Sequence, residues 1–166
     1  MGTQIDGGAI GLVYAEIDIE NVMDLARVRT GEGPGGSVRR ATVRAMVDTG
    51  AYMMVIPETL RVQLGLEIVG RRRAVTADGK THDVPIAGPV NVRFANRFAT
   101  CNAMVMGNGP VLLGAIPLEE LDVVIDPKSR TLAVNPENPD VPKMVVMEMS
   151  RRRADSPRAS ARPSPV

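Results

Sequence analysis

Apolar and polar positions alternate with a period of two along most of this chain, in short runs cut by glycine and proline. Residues 10–19, Ile-Gly-Leu-Val-Tyr-Ala-Glu-Ile-Asp-Ile, alternate toward their end and predict a first β-strand. Residues 38–47 predict a second strand that ends at Asp48, and residues 53–56 a short third one. Residues 57–64 open on Pro57 and Glu58 and close on Gly65, which predicts a short helix with a glycine cap. Residues 67–77 and 81–86 flank Ala77-Asp78-Gly79-Lys80, and Asp-Gly between two extended segments signals a hairpin with a polar, projecting tip. Residues 90–94 and 99–106 flank a turn at Asn96-Arg97, and residues 117–121 predict a second short helix after the break at 107–110. Residues 123–126 and 131–134 pair around the turn 127–130, and residues 144–149 supply an edge or interface strand. The pattern is mostly β with two short helices.

One junction in this pattern carries chemistry. The apolar run Ala45-Met46-Val47 meets Asp48-Thr49-Gly50-Ala51 and resumes at Met53-Met54-Val55-Ile56. A carboxylate placed between buried segments must be hydrogen-bonded, paired or partly neutralised, because burying a free charge is costly. Alone, Asp-Thr-Gly is an ordinary turn tripeptide in which aspartate caps its own backbone and glycine supplies a positive φ. A partial echo follows later. Val47 to Ala51, then Ile56-Pro57-Glu58 and Leu60, is matched by Val111-Leu112-Leu113-Gly114-Ala115, then Ile116-Pro117-Leu118-Glu119 and Leu121. The first copy has aspartate at its turn, and the second has leucine.

Composition removes several alternatives. The 166 residues suit one domain large enough to bury a core, and with aromatics at 2% that core rests on aliphatic residues and ten methionines. A single cysteine, Cys101, allows no internal disulfide and reads as a small buried hydrophobe. One histidine, His82, beside one cysteine makes neither a conventional zinc site nor a thiol nucleophile pair, so no metal and no cofactor is expected. Residues 98–118 lack charge but hold glycines, prolines and asparagines, so no membrane span is expected; with no secretory or myristoylation pattern at the start, a cytoplasmic protein is. Five arginines and one aspartate give residues 151–166 a net +4, which leaves −3 for the remainder of a chain whose total is +1. That Arg/Ser/Pro-rich stretch, 150–166, is expected to be a disordered tail after a domain at 10–149 and a flexible start at 1–9. Without aromatics in the tail or a basic stripe in the body, nucleic acid is not the expected partner.

Asp48-Thr49-Gly50-Ala51, the Asp-Gly hairpin about thirty residues on, and Leu112-Leu113-Gly114 before a short helix together resemble the retropepsin-like aspartic proteases, over roughly residues 10–136. The resemblance implies a closed, barrel-like β-fold with one or two short helices. It implies Asp48 as the catalytic residue, Thr49, Gly50 and Ala51 as its loop, and the hairpin at Ala77, Asp78 and Gly79 as a flap over an extended peptide. Leu112, Leu113 and Gly114 would support that loop. It also implies a homodimer, because the chain carries one such motif where two catalytic aspartates are needed.

The alternative is a non-catalytic dimerisation or peptide-binding module of the same fold, against which the intact Asp48-Thr49-Gly50 argues. Other candidates read as structural. Gly31-x-Gly33-x-x-Gly36 matches a dinucleotide fingerprint as a string, but a strand pattern follows where a helix is required. Asp126 before Pro127 reads as a turn starter, Arg71-Arg72-Arg73 as a solvated strand face, and His82 as a surface residue.

Overall fold

The structure, a computed structural model, describes residues 11–31, 37–76 and 78–144. Residues 1–10, most of the glycine-rich loop (32–36), Ala77, residues 145–149 of the last expected strand and the tail at 150–166 lie outside the described residues.

The chain opens with β1 (Val13–Asn21), in which Val13, Ala15, Ile17 and Ile19 are buried while Glu16 and Asp18 face solvent. It pairs antiparallel with β2 (Arg40–Val47) from Val13↔Val47 to Glu20↔Arg40. Between them lies α1 (Val22–Thr30), a third helix that the period-two reading passes over. Its signals are chemical rather than periodic. Asn21 caps the helix by accepting from the backbone N–H groups of Met23 and Asp24 at 2.8 and 3.2 Å, and Gly31 closes it in the left-handed conformation. Arg29 and Thr30, just ahead of Gly31, belong to this helix.

β3 (Met54–Ile56) and α2 (Glu58–Leu64) follow as expected, with Gly65 as the left-handed cap. β4 (Ile68–Val75) and β5 (Thr81–Phe94) form the predicted hairpin, and β6 (Arg97–Val105) returns along β5. The two strands expected at 81–86 and 90–94 are one strand whose register shifts between Ala87 and Val90. Gly88 makes that shift possible at φ +144, because a Cβ there would lie 2.6 Å from Asn102 Oδ1. β7 (Leu112–Leu113), α3 (Ala115–Leu121), β8 (Val123–Asp126) and β9 (Thr131–Val134) complete the order. Asp126 opens the β8–β9 turn by accepting from the N–H groups of Lys128 and Ser129.

The sheet runs β1-β2-β7-β3-β6-β5-β4, and an extra ladder, Asp18↔Arg93 to Asn21↔Val90, joins β1 to β5. Six strands therefore close into a ring, the barrel-like β-fold that the sequence implied. Of the seven strands of this sheet, β4 alone lies outside the ring, paired only with β5 and with nearly all its residues exposed, while β8 and β9 pair as a separate two-stranded sheet. Inside the ring Ile17, Ile19, Met54, Ile56, Val90, Val92 and Leu113 are almost fully buried, and Leu64, Leu118 and Leu121 seal it from α2 and α3. Burying each such side chain contributes about 2 kcal/mol.

Candidate active site

Asp48 stands where β2 leaves the ring. Its position is set by backbone bonds to the second copy of the echo: Met46 N–H donates to Val111 O at 2.8 Å and Asp48 N–H donates to Leu113 O at 3.0 Å. β2 runs parallel to β7 through Met46↔Leu112 and Val47↔Leu113, while β3 runs antiparallel to β7 at Val55↔Leu112. The loop from Asp48 to Met53 thus leaves and re-enters the sheet on the two sides of one two-residue strand.

Within the loop, Asp48 Oδ1 accepts the Gly50 N–H at 2.9 Å, and the Ala51 N–H donates to Asp48 O at 3.1 Å. The carboxylate is half-buried, and Thr49 and Gly50 are exposed. Gly50 does not take the positive φ of an ordinary turn glycine; a Cβ there would crowd Asp48 Oδ1 at 3.2 Å.

Gly114 is the tightest point of the site. A Cβ on it would lie 2.3 Å from Met53 O and 2.7 Å from Ala51 O, so only glycine lets α3 dock on the aspartate loop. The docking bonds are Ala115 N–H to Ala51 O at 2.8 Å and Ile116 N–H to Tyr52 O at 3.2 Å. The echoed segments are therefore partners in space, each strand-turn-helix unit bracing the other. Leu112 lines the site and Leu113 is fully buried beneath it.

A cleft of about 740 Å³ opens beside Asp48. One wall is Asp48, Gly50, Ala51 and Tyr52; the floor is Met53, Val55, Met104, Met106 and Leu112; the opposite wall is the β4 arm from Arg72 to Thr76. Of the hairpin, it is this arm, and not Asp78 or Gly79, that lines the cleft shared with Asp48. Asp78 and Gly79 organise the tip instead. Asp78 Oδ1 accepts from Thr76 Oγ1 at 2.5 Å and from Lys80 N–H at 3.2 Å, and Gly79 takes φ +77. The Thr76 hydroxyl, with the Lys80 N–H, holds the Asp78 carboxyl below the usual carboxylate range. Ala77 lies outside the described residues.

The methionine floor and the β4 wall are parts of the candidate site that the sequence pattern did not point to. The signal for the wall was the hairpin alternation, which puts Arg72, Ala74 and Thr76 on one face. Other candidates stay outside the cleft. His82 is exposed opposite Ala74, and the Cys101 thiol is pushed up to about 12 by burial, with the Glu120 charge adding to it. Among the described residues no three His, Cys, Asp or Glu side chains converge as a metal site, and no helix is long and apolar enough to cross a membrane.

A closed β-ring with a single Asp-Thr-Gly-Ala loop beneath a projecting hairpin describes an aspartyl protease scaffold. Residues 35–120, just over half of the chain, match the family described as "gag-polyprotein putative aspartyl protease", and the chain belongs to this retropepsin-like family. Among solved structures it is similar to the retroviral protease-like domain of Ddi1 from Leishmania major, at 13% identity and a TM-score of 0.48. That similarity covers 77% of this chain and 91% of the other. No curated protein matches the chain.

Proposed function

We propose that this protein is an aspartic endopeptidase whose active site is completed by a second copy of the chain, the two Asp48 carboxylates meeting across a two-fold axis. The observation that carries this reading is the half-exposed Asp48 on a loop braced from behind by Leu113 and Gly114, at the edge of a cleft with an apolar floor. The chain offers one such aspartate, because the echoed turn has leucine in its place.

Two carboxylates brought to about 3 Å share one proton. The ionised member takes a proton from a bound water, which attacks the scissile carbonyl, while the protonated member polarises that carbonyl; the roles exchange as the amine leaves. The Gly50 N–H, donating to Oδ1, holds one carboxylate oxygen in place. Thr49, exposed beside it, would bond to the partner's loop and tie the two loops together. The β4–β5 hairpin would close over an extended peptide and exclude water from the reacting bond. A reducing, cytoplasmic setting accords with the single, partly buried thiol.

The test is cleavage of a peptide library by the unaltered protein and by Asp48→Asn. Cleavage by the unaltered protein and a loss of at least about a hundredfold in the variant, with the fold kept, is the expected result. Equal cleavage by both would overturn the mechanism, and tight peptide binding without any cleavage would favour the non-catalytic module.

A further inference from the structure

Two arginines that the proposed chemistry does not use, Arg72 and Arg73, border the cleft. The β4–β5 ladder determines which of them shares the inner face of the hairpin. Directly opposed residues share a face of a hairpin, and successive residues alternate. Arg71 is opposite Pro85 and Arg73 opposite Asp83, so these arginines share a face with the Asp83 carboxylate. Arg71 Nε donates to Asp83 Oδ2 at 2.7 Å, which leaves that outer face partly neutralised. Arg72 is opposite Val84, which is only 5% exposed, and shares the inner face with Ala74 and with Ile86, buried to the same degree. Its guanidinium is therefore on the side of the cleft, across from Asp48 and above the floor of Met53, Met104 and Met106. No ion pair joins Arg72 to a carboxylate among the described residues.

A guanidinium stays charged in any such setting and presents a planar fork of donors matched to a carboxylate. Arg72 is exposed, so its pull on a carboxylate is modest and sensitive to salt. We infer that Arg72 is a specificity-determining residue: it selects extended peptides that carry Asp or Glu beside the apolar side chains seated on the methionine floor, and disfavours Lys or Arg at the same place. The inference rests on the reading that the cleft binds peptide, but not on whether the bound peptide is cut.

The experiment therefore reads binding in the Asp48→Asn protein, using fluorescein-labelled decapeptides with an apolar centre and either Glu or Gln at each flanking position in turn. At low salt the Glu peptide is expected to bind about three- to tenfold more tightly at one flanking position, with the difference shrinking at 0.5 M salt. Adding Arg72→Gln should abolish that preference. Arg71→Gln, which removes the same charge from the outer face one residue away, should retain it. The inference falls if Glu and Gln peptides bind alike at every position, if neither binds, or if the preference survives Arg72→Gln or is lost equally with Arg71→Gln. Cleavage by the unaltered protein is a separate result, so the fate of the proposed activity and that of the Arg72 assignment are read independently.

Discussion

Asp24, 7% exposed in the first turn of α1, is the most tightly held carboxylate outside the site. It accepts from Arg39 Nε at 2.7 Å, Nη2 at 2.8 Å and the Arg39 backbone N–H at 3.1 Å. The Arg39 guanidinium holds its carboxyl down at about 2 against an ordinary 3.8, outweighing the upward push of burial. A carboxyl with a depressed folded pKa adds stability that is fully present above the unfolded value and lost as pH falls through the folded one. Asp24→Asn should therefore lower stability by about 1–2 kcal/mol at pH 7, discounted for the half-exposed Arg39. The gap between variant and parent should close as pH drops from about 4 toward 2, measured by urea denaturation across that range. Half of this interaction was legible in the sequence, since Asn21 followed by Asp24 is a helix-start signal. The other half, Arg39, lies fifteen residues away across the glycine-rich loop, and no local pattern points to it.

At the scale of elements, short strands and turns were readable because each carries its own signal: alternation for β1, Asp-Gly for the hairpin, proline and glycine at the ends of α2. What the sequence showed only as a likeness was the relation between its two strand-turn-helix units. In the structure they are docked face to face, with Gly114 at the contact. Gly114→Ala drives a Cβ against the carbonyls of Met53 and Ala51, neither of which is a flexible side-chain end. The substitution should cost about 2–4 kcal/mol in denaturant unfolding and abolish cleavage, because the loop that carries Asp48 loses its brace. A similar contact explains the miss at 87–89. Gly88 reads as a breaker in one dimension, whereas in space it lets one strand bend from the ring into the hairpin.

For the whole molecule, the ring closes through a β1–β5 ladder whose partners are more than sixty residues apart, with Asn91 Nδ2 donating to the buried Glu20 Oε2 at 2.9 Å beside it. That closure leaves β4 free to reach over the cleft and leaves Thr49, Gly50 and Tyr52 uncovered on the same side, Tyr52 at 68% exposure. If the working unit is a dimer, its population is set by mass action. Specific cleavage activity should then fall on dilution over the same concentration range in which sedimentation shows dimer giving way to monomer. Activity that is constant per chain while the sedimenting species is monomeric would rule out a shared site.

The mostly β character, the hairpin, two of the three helices among the described residues and the acid at Asp48 were legible from the chain alone, because these depend on residues within about a dozen positions of one another. The closed fold and the support of the aspartate loop by Leu112, Leu113 and Gly114 were implied by the family resemblance. Which six strands make the ring, through which backbone contacts Leu113 and Gly114 brace the loop, and that Arg72 rather than Arg71 or Arg73 shares the inner face of the hairpin emerged only from the three-dimensional packing. Those outcomes depend on register and on close approach between distant backbones. A one-residue slip along a strand exchanges its faces, and a fraction of an ångström at a glycine decides whether two elements meet.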